Sequence, residues 1–440
     1  MFSCRLRLSL ALALASLTPA YAAPAPVHPA LPAPPPSEPR RVTLPELLAI
    51  AHAHSPLLAL DQAYPARARA ASARAGASLP ENPELGLAIG PRISGAETGV
   101  DFEVSLSQRF AIGGERAARR RAGDALVVRL DAEAVARQWD LHTAVHGAFH
   151  RALAAEARLD LARDVLAFQE EVGAITAKQR RAGEVAALAQ RVADAEVAGK
   201  RQAVAAAEQQ AVAARLELAQ LVGWPDPEPP WPAGTLDDLR PAPALADVLA
   251  RARERQPRFA VLEAAVAEAR AEAGVARKTG TPEPVVGISY SHESQPGGGA
   301  GAHIVSGFVT LPLPLVRLDE PAVGAARAEV AVREAELAEA EQRLGYAVRR
   351  AHADVVAARA RLASYGSDVL PRFRENLELL KRAFQLGEID LLALSSARER
   401  FLAIQESGLG ARADYYDALA ELESASGIDI LDAHHLEDAP

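Results

Sequence analysis

Three histidines have a spacing that suits metal binding. His142, His146 and His150 follow one another at intervals of four residues. Residues four apart share one face of an α-helix, and two imidazoles placed in this way can bind one ion. No cysteine or carboxylate motif accompanies them in the sequence. The histidines are therefore candidates only, and the sequence predicts no bound metal and no cofactor.

Motifs typical of catalysis are missing from the sequence. His292-Glu293 has no second histidine at metalloprotease spacing, and the glycine-rich stretch 297–301 lacks the Lys-Ser/Thr of a phosphate loop. A Gly-x-Ser-x-Gly motif does not occur either. The formal net charge of −9 gives no electrostatic support for binding nucleic acid. We therefore expect neither an enzyme nor a nucleic-acid-binding protein.

A Gly-Glu-aliphatic triplet occurs twice, as Gly183-Glu184-Val185 and as Gly387-Glu388-Ile389, at an offset of 204 residues. Further matches lie at offsets of 201 to 205 residues: Pro83–Leu87 with Pro284–Ile288, Val104–Leu106 with Val309–Leu311, and Leu218 and Gly223 with Leu422 and Gly427. Near-constant offsets over such a distance indicate an internal duplication.

Alanine dominates the composition. The chain of 440 residues contains 98 alanines, whereas only 5% of its residues are aromatic and it has a single cysteine. Alanine favours helix and buries little surface, so this composition is typical of long helices whose axes approach closely. One cysteine excludes an intrachain disulfide.

The N-terminus has the pattern of a cleavable export signal. Two arginines precede the apolar stretch Leu8–Leu17, and Ala20-Tyr21-Ala22 supplies small residues for cleavage. We expect residues 1–22 to be a signal peptide and residues 23–41 to be a proline-rich disordered segment. Cys4 precedes the apolar stretch, so no lipid anchor is predicted. No later apolar run reaches the length of a membrane-spanning helix.

Proline placement divides the rest of the chain. Seven prolines lie between Pro225 and Pro243, whereas the tract 92–224 has none and can form long helices. We expect repeat 1 at residues 42–224, a proline-rich linker at 225–243, repeat 2 at 244–430 and a polar tail at 431–440.

Each repeat is predicted to contain a short helix, two strands, a long helix, a Gly-Glu turn and a second long helix, which makes the fold α+β. In repeat 1 we expect the short helix at about 43–78, strands at about 82–90 and 100–110, and long helices at about 114–172 and 184–222. In repeat 2 we expect them at about 244–278, 284–292 and 303–312, and 321–385 and 388–426. Helices this long bury their apolar stripe only by pairing as a hairpin.

The predicted strands alternate apolar and polar residues, which is typical of a sheet with one apolar face. The apolar positions, expected to face lipid, are Leu85, Leu87, Ile89, Phe102, Val104, Leu106, Val286, Ile288 and Tyr290. Strands in a bilayer must close into a barrel, and the smallest barrels have about eight strands. Four strands cannot close alone, so the sequence predicts an oligomer that shares one barrel.

These features together resemble the TolC-type outer-membrane efflux family. The resemblance rests on the signal peptide, the duplicated strand-strand-helix-helix plan, Leu386–Leu392 and the closing Leu422–Gly427, and it covers about Val42 to Ile430. The segment Thr310–Val316, with its Leu-Pro-Leu-Pro-Leu sequence, is similar to the cation-efflux, or CzcC-like, branch.

The resemblance implies a homotrimer with a twelve-stranded β-barrel in outer-membrane lipid and a periplasmic α-helical tunnel. The turns between paired long helices would form the periplasmic tip, which docks to a membrane-fusion adaptor protein. The docking residues would be Arg180, Gly183, Glu184, Val185, Gly387, Glu388 and Ile389. The aspartate ring of the archetype aligns with Ala393 and Ser396, so Glu388 and Asp390 are the candidates for a displaced acidic ring at the tunnel mouth.

We therefore expect the outer-membrane channel of a tripartite resistance-nodulation-division efflux system, which conducts heavy-metal cations passively from an inner-membrane pump. One alternative keeps the channel and changes the cargo, to drugs or to a protein of a type I secretion system. Another alternative is a soluble periplasmic coiled-coil adaptor, which would have one helical hairpin and a lipoyl-like domain in place of two hairpins and four strands.

Overall fold

The computed structural model describes residues 40–75, 81–94, 97–237, 239, 241–279, 281–295, 300–313, 320–365 and 369–430. The predicted signal peptide, nearly all of the predicted disordered segment and the predicted polar tail lie outside these residues. The segment 23–41 is corrected at its end, because Arg41 belongs to a strand that pairs with the linker.

The described helices are α1 (Leu44–His54), α2 (Pro56–Ala75), α3 (Glu115–Ala182), α4 (Ala187–Val222), α5 (Leu245–Arg255), α6 (Pro257–Thr279), α7 (Glu320–Ser364), α8 (Val369–Gln385) and α9 (Leu391–Ser426). The described strands are β1 (Arg41–Val42), β2 (Glu84–Ser94), β3 (Glu97–Arg109), β4 (Trp231–Pro232), β5 (Val285–Glu293) and β6 (Ala302–Thr310). Strands β1 and β4 pair in parallel and tie the start of repeat 1 to the linker.

Three of the predicted helices are each divided into two helices in the structure, and a proline lies at or near each break. Each short helix is two helices, because Pro56 and Pro257 begin new helices directly after α1 and α5. The helix expected at 321–385 is divided into α7 and α8, and Pro371 lies in the first turn of α8, where proline is tolerated. Helix α3 has 68 residues and continues ten residues past its expected end at 172. At about 1.5 Å per residue it is about 100 Å long.

Strands β2, β3, β5 and β6 form one antiparallel sheet in that order. The register aligns Leu87, Val104, Tyr290 and Val305 across all four strands. On the opposite face, Gly86, Ser105, Ser289 and Ser306 form a second row. The duplication therefore supplies two β-hairpins with the same alternation of apolar and polar residues. They pair side by side into one sheet that has an apolar face and a polar face.

The largest core lies between helices of both repeats. It includes Leu47 of α1, Val145 of α3, Leu218 of α4, Val355 of α7 and Leu422 of α9, each fully buried. Alanines fill the spaces between these side chains and allow close helix axes. None of the described helices is both long and apolar enough to cross a membrane.

Candidate functional site

The turn between α3 and α4 depends on Gly183. Its φ of 82° is left-handed, a conformation that favours glycine. The Gly183 N–H donates to the Arg180 carbonyl at 3.1 Å, and the Glu184 N–H donates to the Gln179 carbonyl at 2.9 Å. These bonds close the last turn of α3 and leave Arg180 and Glu184 exposed and Val185 half-buried.

The turn between α8 and α9 has the same construction in repeat 2. Gly387 has a φ of 75°, and its N–H donates to the Phe384 carbonyl at 3.1 Å. The Glu388 N–H donates to the Ala383 carbonyl at 2.9 Å. The Asp390 carboxylate accepts from the Ala393 N–H at 2.8 Å and caps the N-terminus of α9.

The two turns line one groove of about 1050 Å³. Three leucines are exposed in its lining: Leu188 of α4 (71%), Leu386 in the turn after α8 (74%) and Leu392 of α9 (73%). Several exposed leucines in one groove are typical of a protein interaction site. Of the seven residues predicted for docking, the structure brings Glu184, Val185, Gly387, Glu388 and Ile389 to the groove, whereas Gly183 and Arg180 lie outside its lining.

The groove is acidic. Its lining contains five carboxylate side chains and no lysine or arginine among the described residues. The five carboxylates are those of Glu184, Glu196, Glu388, Asp390 and Glu399. Glu388 and Asp390, the residues predicted for an acidic ring, are both exposed here. Because these carboxylates are negatively charged, the groove of a single chain favours a cation or a basic surface as its ligand.

A small core beneath the groove locks the two hairpins together. Val172 of α3 packs with Phe384, Leu394 and Phe401. The Gln179 side-chain amide of α3 donates to the Phe384 carbonyl at 3.5 Å. These side-chain contacts therefore fix the position of the α3–α4 turn relative to the α8–α9 turn.

Two charged side chains of repeat 2, Arg398 and Lys381, contact residues of repeat 1 next to this core. The Arg398 guanidinium lies 4.7 Å from the ring centre of Phe168. Burial lowers the pKa of Arg398. Lys381 Nζ lies 2.5 Å from a carboxylate oxygen of Glu171. Sequence reasoning missed these residues, because contacts between the two repeats leave no local pattern.

The apolar face of the sheet carries the residues predicted to face lipid. Leu85, Leu87 and Ile89 expose 66%, 74% and 80% of their surface. Of the other six, Phe102, Leu106, Val286, Ile288 and Tyr290 are exposed and Val104 is half-buried. A contiguous exposed apolar face of this kind requires a cover of lipid or protein.

The three histidines of α3 do not act as one set. His142 and His146 approach Asp429, which follows α9. His150 is turned away: its Nδ1 lies 2.8 Å from the His146 carbonyl oxygen, and its ring stacks on Tyr416 with centroids 4.1 Å apart. Burial lowers the pKa of His150 to about 4. Asp429 was missed, since the turn that returns it to α3 is not readable from spacing.

The sequence matches the family described as outer membrane efflux protein over residues 47–224 and 248–428. It is 31% identical over 352 residues to Protein CyaE of Bordetella pertussis, a match that covers 75% of this chain and 72% of that protein. The adaptor alternative is wrong, because the described chain has two helical hairpins and a four-stranded sheet and matches a different family.

Solved structures share the fold. A membrane protein from Pseudomonas aeruginosa superposes with a TM-score of 0.70 at 19% identity, covering 87% of this chain and 92% of that chain. The outer-membrane channel OprN superposes with a TM-score of 0.69 at 20% identity, covering 87% and 89%. The family match spans both repeats, so the chain belongs to the outer membrane efflux protein family and is a channel protein of the outer membrane, not an enzyme.

Proposed function

We propose that three copies of this chain form the outer-membrane channel of a tripartite resistance-nodulation-division efflux system. The channel conducts heavy-metal cations passively from an inner-membrane pump and a periplasmic adaptor to the exterior. The proposal is carried by one observation: the two turn regions of the repeats line a single acidic groove with exposed leucines.

The sheet supports the trimer. Among the described strands, β2 pairs with β3 alone and β6 pairs with β5 alone, so the four-stranded sheet has two open edges. In a bilayer such edges must be paired. Three sheets of four strands joined edge to edge make a barrel of twelve strands, with the exposed leucines of β2 directed to lipid.

A disulfide between subunits tests the barrel. Ala88 of β2 and Ser306 of β6 lie on the polar face at opposite edges of the sheet. Cysteines at Ala88 and at one of 304, 306 or 308 would be too far apart within one chain. We expect covalent trimers in native membranes for at least one pair, and exclusively monomeric chains for every pair would contradict the shared barrel.

Cross-linking tests the groove as the docking site. A Glu388→Cys variant is expected to form a thiol-specific cross-link to the co-expressed adaptor. Glu336→Cys, an exposed acid in the middle of α7, is the matched control. The predicted mature chain contains no other cysteine, since Cys4 lies in the signal sequence. Equal cross-linking at both positions would contradict docking at the groove.

Resistance assays test the cargo. The cation branch is supported by the Leu-Pro-Leu-Pro-Leu segment that begins at Leu311 and by the five carboxylates of the groove. Deletion is expected to lower tolerance of zinc, cobalt, cadmium or copper. Unchanged tolerance of all four would contradict the cation branch, and a change confined to drug tolerance or to protein secretion would favour the alternative cargoes.

N-terminal sequencing of the mature protein tests cleavage after residue 22.

A further inference from the structure

Three side chains meet where α3 passes the residues that follow α9. The imidazoles of His142 and His146 and the carboxylate of Asp429 each offer one donor atom, and these atoms all lie within 4.8 Å of one another. Two imidazoles and one carboxylate form a donor set that zinc and similar divalent transition metals prefer.

The spacing of one pair already suits a tetrahedral site. His142 Nε2 lies 3.3 Å from Asp429 Oδ2. With metal–ligand bonds of about 2.0–2.1 Å, two neighbouring corners of a tetrahedron are about 3.3 Å apart. The other two donor–donor separations are at most 4.8 Å, so each has to shorten by about 1.5 Å at most to reach the same spacing.

Glu423 positions two of the three ligands. Its Oε2 lies 2.8 Å from His146 Nδ1, and both side chains are fully buried. When Nδ1 donates to Glu423, the Nε2 lone pair is left available to a metal, which is how carboxylates orient metal-binding histidines. The other oxygen, Oε1, accepts from the Ile430 N–H at 2.8 Å and holds the segment that carries Asp429.

The location of the cluster and the packing of the His142 ring suit a bound ion. The side chains of His142 and Asp429 are 14% and 26% exposed, so the cluster lies close to the protein surface, although the donor nitrogens of its histidines are buried. The Trp139 ring stacks on the His142 ring with centroids 5.2 Å apart and an interplanar angle of 13°. Three protein ligands with a water in the fourth position is a common zinc arrangement.

The cluster is particular to one repeat. At the offset of 204 residues, Tyr346 and Arg350 replace His142 and His146, and Ala219 replaces Glu423. Its donors are therefore not a by-product of the duplicated helical hairpin.

The geometry points to a resident divalent transition-metal ion, of the zinc class, bound by His142, His146 and Asp429. The ion fastens the end of α9 in repeat 2 to α3 in repeat 1. This site does not depend on the exported cargo and is distinct from the acidic groove.

Cobalt binding to the full chain tests the site. The protein is isolated in detergent with H434A and H435A in the polar tail, stripped with a chelator and titrated with Co²⁺. We expect one Co²⁺ per chain with a visible absorption band typical of four-coordinate cobalt, displaced by Zn²⁺. Zn²⁺ is also expected to raise the midpoint of thermal unfolding.

Two substitutions and a control identify the ligands. Asp429→Asn and His142→Ala, both at partly exposed positions, are expected to weaken Co²⁺ binding about tenfold or more and to remove the thermal shift. Asp417→Asn, in α9 and outside the cluster, is expected to leave both unchanged. No absorption band in the parent, or equal affinity in the parent and Asp429→Asn, would overturn the site. Efflux assays on the same variants are independent of this result, so failure of the channel proposal would be seen separately.

Discussion

Four of the described helices end at glycines with left-handed φ, and these glycines form two contrasting pairs. Gly223 and Gly427 end α4 and α9 against backbone: an added Cβ would lie 2.5 Å from the His54 carbonyl oxygen at Gly223 and 2.6 Å from the Gln256 Cα at Gly427. Gly183 and Gly387 end α3 and α8 at the groove, and an added Cβ would meet nothing within 4 Å.

The difference separates two uses of one capping motif. At Gly223 and Gly427 the glycine permits close packing of the helix end on the breaks between α1 and α2 and between α5 and α6. At the groove the glycine serves only the turn, and the space around it is open. Packing within the chain therefore restricts the first pair more tightly than the pair at the groove.

The largest effect is expected for Gly427→Ala. Left-handed backbone costs a non-glycine residue about 1–2 kcal/mol, and the overlap with Gln256 and Arg255 adds a backbone shift of similar cost. We expect a loss of about 3 kcal/mol in the free energy of unfolding, measured by chemical unfolding followed by far-UV circular dichroism.

The control for this change is Gly410→Ala, in the interior of α9 with nothing within 4 Å of the added Cβ. Alanine is the better helix former, so this variant is expected to be as stable as the parent or more stable by up to about 1 kcal/mol. Similar losses for both variants would contradict the role of close packing at Gly427.

A smaller loss is expected for Glu423→Gln, near the same helix end. The carboxyl group is fully buried and bonds both His146 Nδ1 and the Ile430 N–H at 2.8 Å. When His146 Nδ1 is a donor, the single acceptor oxygen of an amide cannot serve both N–H groups, so we expect a loss of about 2 kcal/mol in chemical unfolding. Unchanged stability would contradict the assignment of Nδ1 as a donor to Glu423.

Gly387→Ala is expected to cost about 1 kcal/mol. The left-handed φ of 75° remains unfavourable for alanine, but no neighbour has to move. Gly199→Ala, in the interior of α4 with open space, is the control. A loss at Gly387 as large as that at Gly427 would remove the distinction between the two pairs.

Much of this architecture could be predicted from local patterns. The repeated Gly-Glu triplets locate both turns of the groove, and strict alternation of apolar residues identifies the face of the sheet that carries Leu87 and Ile288. These features depend on residues close in the sequence, where period and turn chemistry act directly.

The remainder depends on contacts between distant residues. The approach of Asp429 to His142 requires the turn at Gly427 and the bond from Ile430 to Glu423, which no spacing reveals. The core that joins Val172 to Phe384 connects the two repeats and has the composition of any apolar helix face. Tertiary packing therefore decided the details that periodicity left open.

The smallest effect on stability is expected for Glu388→Gln, the same substitution as at Glu423 but in the open groove. Glu388 is exposed, and its backbone N–H, not its carboxylate, makes the bond that closes α8. We expect chemical unfolding to change by less than about 0.5 kcal/mol. Cross-linking from Leu386→Cys, a neighbouring exposed position, is nevertheless expected to decrease when Glu388→Gln is added, because each copy loses one of the five carboxylates that would attract a basic adaptor surface. A loss of stability equal to that of Glu423→Gln would mean that the groove is held by its own charges, and the contrast between the two regions would fail.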